Sequence, residues 1–332
     1  MVQKIDMRVI IPNYCLPDSF VDNVAHTLRS MGHEVFTAPK PVSLIDQRLY
    51  HILQGINDKF APAKLSYQEK WLRKVYKEIK PQIVLSLTQV LNEELLCDVR
   101  KSGAVTISWW GDTAANMTKY GLLCEGWDFI FIKDKYAAFK LQTLDLNAFY
   151  LPEAMNPDWH LMNYTNINDS LLFAGNTYDY RHYLVRKLAA ENKFSIKLYG
   201  NRPPRWAHPS VKSLFLDKFI IKEEKSQEFG SALACINSTA MSEGNSLNCR
   251  TFELAGAGAL QIIEYRQAVE DCFDPGKEIL TYSSFGELLS HIDRVQKDKN
   301  FANSIRMGAY NRAKSEHTYS KRLNTIFDTI KA

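Results

Sequence analysis

The 332-residue sequence lacks long apolar runs and paired cysteine motifs. No apolar run approaches the length of a membrane-spanning helix. Residues 1–7 are polar and lead into a short predicted strand, so we expect no signal peptide. The six cysteines are widely spaced and form no C-x-x-C pair, which is typical of reduced, buried thiols. We therefore expect a cytoplasmic protein. The sequence leaves peripheral association with a membrane, and the oligomeric state, open.

An excess of charge of one sign is also missing. The formal net charge is +4, and the lysines and arginines are dispersed along the chain. Nucleic-acid-binding domains concentrate basic residues on one surface, so we expect no nucleic-acid partner. The eight histidines show no H-x-x-x-H or other ligand spacing. The sequence therefore predicts no metal site.

The chain does have enough apolar residues, 45%, and enough length for about two domains. Predicted strands alternate with helices in both halves, and the polar interval 152–169 separates the two runs. In the first half the predicted strands are 8–11, 34–37, 83–87, 105–108, 129–132 and 149–151, with helices at 45–56 and 67–79 among those between them. In the second half, strands are predicted at 171–174, 196–199, 233–236 and 259–263.

This alternation predicts an α/β fold with parallel, doubly wound sheets, whose ligands bind beyond the carboxyl ends of the strands. We expect an N-terminal Rossmann-like domain at 1–155 and a C-terminal one at 156–310, facing each other across a cleft. The helical residues 301–330 end the chain, and Tyr319, Leu323, Ile326 and Ile330 give them an apolar face.

The stretch 241–264, MSEGNSLNCRTFELAGAGALQIIE, predicts a polar loop, a short helix and a buried strand. The start of a helix carries unpaired N–H groups and partial positive charge, so this loop can receive a diphosphate. Arg250 in the first turn can pair with phosphate, and Glu253 can accept the hydroxyls of a ribose. An ordinary capped helix with a surface arginine and glutamate is the alternative.

The second half resembles the nucleotide-binding domain of GT-B glycosyltransferases, and in particular the CgeB-like (spore-maturation-type) bacterial glycosyltransferases. The matching segments are NCRTFELAGAGA (248–259), FDPGKEI (273–279) and Tyr282 with the ELL segment that begins at Glu287. The first half is similar to the partner domain of that family through WWGD (109–112), WDFIF (127–131) and LPEA (151–154).

The resemblance implies transfer of a sugar from a nucleotide-sugar donor, such as a UDP- or GDP-sugar, to a glycan or glycoconjugate acceptor. It implies a metal-independent hexosyltransferase that retains configuration, with no further cofactor. Related retaining enzymes carry a Glu-x7-Glu pattern, in which Glu253 would bind the ribose and Asn245 replaces the first glutamate. The final helix, 311–332, would pack on the N-terminal domain, although a dimer helix competes with that interpretation.

The segment GNTYDYR (175–181) resembles the glycine loop of the donor domain in this family, which places Arg181 with Arg250 on the diphosphate. A solvated arginine at a helix start is the alternative for Arg181, and a simple turn is the alternative for Gly200-Asn201. The predicted donor-binding residues are Gly175, Asn176, Arg181, Gly200, Asn248, Arg250 and Glu253.

Asp112 follows a predicted strand at the end where ligands bind in this fold, which makes it a candidate for general base or for positioning the acceptor. Together with Asn245, it is our predicted catalytic residue. A capping role in the loop is the alternative for Asp112, and the preceding tryptophans either belong to the core or stack on a sugar.

Two other functions stay open at this point. A nucleotide-sugar 2-epimerase of similar architecture should show further carboxylates and histidines in the cleft. The second alternative is a sugar- or nucleotide-binding protein without catalytic activity. It stays open because Asn245 replaces the first glutamate of the Glu-x7-Glu pattern.

Overall fold

The structure, a computed structural model, describes residues 7–40, 65–162 and 166–331. Its internal contacts divide the chain into two units. The first unit consists of Met1–Trp110, Asn116–Ile132 and Tyr136–Phe149, and the second of Gly111–Ala115, Lys133–Lys135 and Tyr150–Ala332. The domain bounds predicted near 155 and 310 stay predictions.

A six-stranded sheet forms the first unit, in the order β2-β1-β3-β4-β5-β6. The β1·β2, β1·β3, β3·β4 and β4·β5 pairs are parallel. Its strands are β1 (Arg8–Tyr14), β2 (Glu34–Ala38), β3 (Ile83–Leu87), β4 (Val105–Trp110), β5 (Phe129–Ile132) and β6 (Ala148–Tyr150).

Helices connect these strands, and side-chain caps fix where several of them begin. Ser19 accepts a hydrogen bond from the Asp22 amide, and Ser66 forms a capping box with Glu69, so each of these first turns has a side-chain partner for one of its free N–H groups. The helices are α1 (Phe20–Ser30), α2 (Tyr67–Ile79), α3 (Glu93–Lys101), α4 (Ala114–Tyr120) and α5 (Lys135–Gln142).

The second unit contains a five-stranded sheet in the order β11-β10-β9-β7-β8. All four of its neighbouring pairs are parallel. The connection after β7 leads to β8, on one side, and the connection after β9 leads to β10, on the opposite side. The two connections therefore leave in opposite directions at the boundary between β7 and β9. Such a switch point is where open α/β sheets bind ligands. The strands are β7 (Ser170–Ala174), β8 (Ser195–Tyr199), β9 (Ala234–Asn237), β10 (Gln261–Glu264) and β11 (Leu280–Tyr282).

Helices of the second unit cover its sheet and close its core. Phe173 and Leu171 on β7 are fully buried, and they pack in one cluster with Val185 and Ile292 from the helices. The helices are α6 (Asp179–Ala190), α7 (Pro209–Lys212), α8 (Lys222–Ser231), α9 (Cys249–Gly256), α10 (Gln267–Glu270), α11 (Phe285–Lys297), α12 (Lys299–Glu316) and α13 (Tyr319–Thr329).

The structure corrects several predictions from the sequence. Strand β4 extends through Trp110, and both Trp109 and Trp110 are buried core residues rather than sugar-stacking side chains. Helix α8 was missed. The helical end of the chain consists of two helices, because α12 ends at its C-cap, His317, and α13 begins after its N-cap, Thr318. The helix predicted at 45–56 lies outside the described residues.

All six cysteines are free thiols, as expected, but only Cys235 and Cys272 are buried and the other four are half-buried. In the part of the chain that the structure describes, no helix is both long enough and apolar enough to cross a bilayer.

Candidate functional site

Two glycines bring the ends of neighbouring strands into close contact in the second sheet. Gly175 follows β7 with φ +112°, and Gly200 follows β8 with φ +120°, both in the region that favours glycine. The Gly175 amide donates a hydrogen bond to the Tyr199 carbonyl at 3.0 Å. A Cβ atom at Gly200 would lie 2.6 Å from the Gly175 carbonyl oxygen. Both positions therefore require glycine.

Two adjoining cavities open beside this pair of glycines. The larger, of about 220 Å³, lies at the switch point, between the loop after β7 and the loop after β9. It is lined by Ala174, Gly175, Asn176, Tyr178, Arg181, Ser238, Ala240, Glu243, Asn248, Cys249 and Arg250. We call it the switch-point cavity. A side cavity of about 100 Å³ includes Gly200, Asn201 and Phe219 in its lining. Arg250 lines both.

Helix α9 begins at the switch-point cavity, and Asn248 caps it. The Asn248 Oδ1 atom accepts the Thr251 amide at 3.1 Å, and its Nδ2 atom donates to Asn237 Oδ1 at 3.2 Å. Asn237 in turn donates to Gln261 Oε1 at 2.7 Å. This polar network fixes the start of α9 to the end of β9. Of the predicted donor residues, Asn248 therefore lies at the cavity and is held rigidly.

Arg181 is buried under the glycine loop. Its guanidinium donates to the Asn176 carbonyl at 2.7 Å, the Ala174 carbonyl at 3.2 Å and Ser238 Oγ at 2.8 Å. A further short hydrogen bond reaches the Ser238 carbonyl. Burial, with a smaller effect of Arg250, lowers the pKa of Arg181 to about 10. Arg181 lines the cavity and joins the loops after β7 and β9, and its contact with a diphosphate stays a prediction.

Glu253 is held between two cations. Its Oε1 atom lies 2.8 Å from Lys225 Nζ, and its Oε2 atom lies 3.3 Å from an Nη atom of Arg250. Burial alone raises the pKa of Glu253, but the charges of Lys225 and Arg250 outweigh it and lower the pKa to about 2. The carboxylate is therefore ionised at neutral pH. It does not line either cavity, whereas Arg250 lines both.

His160 stands beside this carboxylate as a neutral ring. Its Nδ1 atom accepts the Asn156 amide at 2.9 Å, which assigns the proton to Nε2. That nitrogen lies 3.9 Å from Glu253 Oε1. Burial lowers the pKa of His160 to about 3, so the ring contributes no positive charge at neutral pH.

Both predicted catalytic residues lie outside the linings of the two cavities. Asp112 accepts the Thr113 amide at 2.7 Å, just before α4. Asn245 accepts the Ala268 amide at 3.0 Å, in the first turn of α10. Each side chain thus accepts a backbone amide, and the catalytic roles of Asp112 and Asn245 stay predictions.

Several charged residues at the site were not predicted from the sequence. Lys133 Nζ lies 2.8 Å from Glu243 Oε2, and Glu243 lines the switch-point cavity. Burial raises the pKa of the neighbouring Glu153 to about 7, although Lys133 opposes the shift. Lys225 was missed too, because a lysine in the charged run KEEKSQE is typical of a solvated helix face. Only the fold brings these residues together.

Residues 181–328 match the protein family described as "Glycosyl transferase-like". The sucrose-phosphate synthase from Thermosynechococcus elongatus is similar over 98% of this chain and 99% of that chain, with a TM-score of 0.68 and 11% identity. A glycosyltransferase from Rickettsia africae is similar over 98% of this chain and 97% of that chain, with a TM-score of 0.67 and 11% identity. The chain has the GT-B fold.

A third GT-B structure, HepE from Anabaena in complex with UDP and glucose, is similar over 98% of this chain and 100% of that chain. Its TM-score is 0.64 and its identity 9%. A search of curated proteins finds no match. The predicted fold class is thus confirmed, and the likeness to the glycosyl transferase-like family is confined to residues 181–328. The finer CgeB-like resemblance stays a prediction.

Proposed function

We propose that this protein is a glycosyltransferase whose second unit binds a nucleoside-diphosphate sugar at the switch-point cavity. The observation that carries the proposal is the position of Arg250, which faces both cavities next to the glycine pair of Gly175 and Gly200. Ligands of open α/β sheets bind at such switch points. The family match over residues 181–328 supports the same chemistry.

A uridine or guanosine diphosphate sugar is the donor class that we propose. HepE, a structural neighbour, was solved with UDP and glucose. In this chain, the diphosphate would lie in the switch-point cavity near Arg250, with Arg181 and Asn176 behind it. The side cavity, with Gly200 and Phe219 in its lining, would take the nucleoside.

Fixed positive charge replaces a metal in this proposal. The leaving nucleoside diphosphate gains negative charge as the bond to the sugar breaks, and a preorganised cation stabilises that charge. Arg250, Arg181 and the N-terminus of α9 supply it. We therefore expect activity that is unchanged by EDTA, and abolition of activity by EDTA would contradict metal independence.

The finer assignments belong to the same proposal. We propose hexosyl transfer with retention to a glycan or glycoconjugate acceptor, in the cytoplasm and within a CgeB-like group of enzymes. Asp112 and Asn245 would position the acceptor and the sugar. The end of the chain from residue 311, which includes α13, would pack on the N-terminal domain.

A thermal-shift screen with UDP, GDP, CMP and dTDP tests the donor site. A ligand that binds only the folded state raises its stability by mass action, so one nucleotide should raise the melting temperature of the wild type. Glu253→Ala should lose most of that increment. This variant also leaves Lys225 buried without its carboxylate, which lowers its melting temperature. The rise caused by the nucleotide is therefore measured relative to the variant without nucleotide. If no nucleotide stabilises the wild type, the donor-site assignment is wrong.

Asp112→Asn separates catalysis from binding. We expect the variant to lose sugar transfer while its nucleotide affinity stays near that of the wild type. Unchanged turnover would remove Asp112 from the mechanism. Nucleotide binding by the wild type without transfer to any acceptor glycan would instead favour the non-catalytic binding protein.

A further inference from the structure

The two oxygens of Glu253 have partners of different kinds. Lys225, on α8, holds Oε1 at 2.8 Å, and only 4% of the Lys225 side chain is exposed. Arg250, one turn before Glu253 on α9, lies 3.3 Å from Oε2, and 24% of its side chain is exposed. One cation is thus fixed inside the fold, and the other reaches the surface of both cavities.

The contact between Arg250 and Glu253 is electrostatic and poorly directed. Among the described residues, Glu253 Oε2 has no hydrogen-bond partner, although it is buried and close to the guanidinium. A buried carboxylate oxygen normally accepts a hydrogen bond. Arg250 therefore has little geometric preference for Glu253 over a better acceptor, and a phosphate offers bidentate geometry.

We infer that Arg250 leaves Glu253 for the diphosphate when the donor binds, while Lys225 stays on Glu253 as a positioning residue that keeps the carboxylate charged and oriented. The departure of Arg250 leaves Oε2 as an acceptor for a ribose hydroxyl of the nucleotide. This inference rests on the proposed function, because it requires a nucleoside diphosphate in the switch-point cavity.

The second cation is needed because a buried carboxylate without a partner is strongly disfavoured. If Arg250 were the only cation, its departure would leave Glu253 uncompensated, and the carboxylate would take up a proton. His160 cannot replace Lys225, since burial lowers the pKa of its ring to about 3. Within the second unit, the titratable and charged groups that face Glu253 are Lys225, Arg250, His160, Glu153, Cys249 and Tyr319.

Proton uptake on binding tests this exchange directly. The probes are UDP-glucose and GDP-glucose, because free UDP titrates near about pH 6 and would obscure the signal. Calorimetry in buffers of different ionisation enthalpy, between about pH 6 and 8, gives the number of protons taken up. We expect uptake near zero for the wild type, up to one proton for Lys225→Met, and near zero again for Lys225→Arg.

Lys277→Met is the matched control, because Lys277 forms an exposed pair with Asp274 on the same unit. It should bind like the wild type. If Lys225→Met binds the nucleotide sugar with no proton uptake at any pH in this range, Arg250 does not leave Glu253 and the inference is wrong. If Lys225 only supported the structure, Lys225→Met would change affinity or stability, but binding would not take up a proton.

A second variant covers the case in which Lys225→Met does not fold. Glu253→Gln removes the charge that competes for Arg250, so inorganic pyrophosphate should bind it several-fold more tightly than the wild type. UDP-glucose should bind it more weakly, since the ribose acceptor is altered. Glu243→Gln, at a carboxylate that lines the cavity itself, is the control for general electrostatic effects and should raise pyrophosphate affinity less.

Weaker pyrophosphate binding by Glu253→Gln would overturn the inference, because it would show that Glu253 holds Arg250 in place for the phosphate. The proposed function fails separately. If the wild type binds neither pyrophosphate nor any nucleotide sugar, the donor site itself is wrong. If it binds them and Lys225→Met shows no proton linkage, only the exchange is wrong.

Discussion

The position that a Cβ atom would take on Gly200 lies 2.6 Å from the carbonyl oxygen of Gly175. No real side chain tolerates such a contact with backbone, so a change at Gly200 must displace the loop after β7. That loop carries Asn176, whose side chain accepts a short hydrogen bond from Asn201. The glycine pair therefore sets the shape of both cavities at once.

Gly200→Ala should abolish nucleotide binding and lower stability. The displaced Gly175 loop changes the lining of both cavities, and the positive φ adds strain. Gly276→Ala is the control, because Gly276 also has a positive φ, +82°, but nothing lies within 4 Å of its Cβ position. The control should cost about 1–2 kcal/mol from backbone strain alone. Thermal unfolding with and without UDP or GDP measures both effects, and equal losses in the two variants would argue against the clash.

Arg266 holds the loop that precedes α9. Its guanidinium donates to the Ser246 carbonyl at 3.0 Å and the Gly244 carbonyl at 3.2 Å, and it pairs with Glu264 at 2.5 Å. Arg266→Met should release this loop, so amide hydrogen exchange over residues 240–248 should accelerate. Nucleotide affinity should fall with it. Arg294→Met, at a surface arginine of α11 stacked on Phe301, is the control. Unchanged exchange in the loop would mean that Arg266 does not restrain it.

The sequence predicted most strands and helices because their apolar residues recur with a clear period and their ends carry strong signals. Helix α2 and strand β3 match the predicted bounds, and Asn92 caps α3. Helix α8 was missed because its sequence, KEEKSQEFGS, is mostly charged and polar. Even so, it buries Phe229 and Lys225 against the rest of the unit.

The candidate site was only partly predictable for a related reason. Local features, such as a glycine after a strand or an asparagine before a helix, marked Gly175, Gly200 and Asn248. The ion pair between Glu253 and Lys225 could not be predicted, because Lys225 is 28 residues away and only the packing of α8 against α9 joins them. The Glu-x7-Glu spacing predicted a role for Asn245, whose side-chain oxygen accepts the Ala268 amide in the structure. Spacing specifies a position along the chain, but the direction of a loop side chain depends on its neighbours in space.

Glu153 should make stability fall as the pH rises. Burial raises its pKa to about 7, above the ordinary glutamate value of 4.5. Between these values, the folded state keeps a proton that the unfolded chain has released, so the free energy of unfolding declines with pH. The decline should approach about 3 kcal/mol. The buried neutral rings of His160 and His317 act in the opposite direction in both proteins. The difference in unfolding free energy between the wild type and Glu153→Gln, measured with urea at about pH 5 and 8, therefore gives the contribution of Glu153. The same pH dependence in both proteins would show that Glu153 is ionised in the folded state.

Arg306 should be among the residues that contribute most to the stability of the second unit. It is almost fully buried on α12, and its guanidinium donates to four carbonyl oxygens at 2.6–3.2 Å. These belong to Gly230, Ala232, Leu233 and Gly258, so Arg306 joins the end of α8, the start of β9 and the end of α9. Arg306→Met keeps most of the volume but leaves these carbonyls without their donors.

Each buried carbonyl that loses its donor costs about 1–3 kcal/mol, so we expect a loss of at least about 3 kcal/mol for Arg306→Met. Arg306→Lys should recover only part of this, because an ammonium group cannot span the same set of carbonyls. Arg186→Met, at an exposed arginine of α6, should change stability by less than about 0.5 kcal/mol. Urea midpoints measure all three. A loss for Arg306→Met as small as that for Arg186→Met would mean that water or other donors replace the guanidinium, and Arg306 would then not join these three segments.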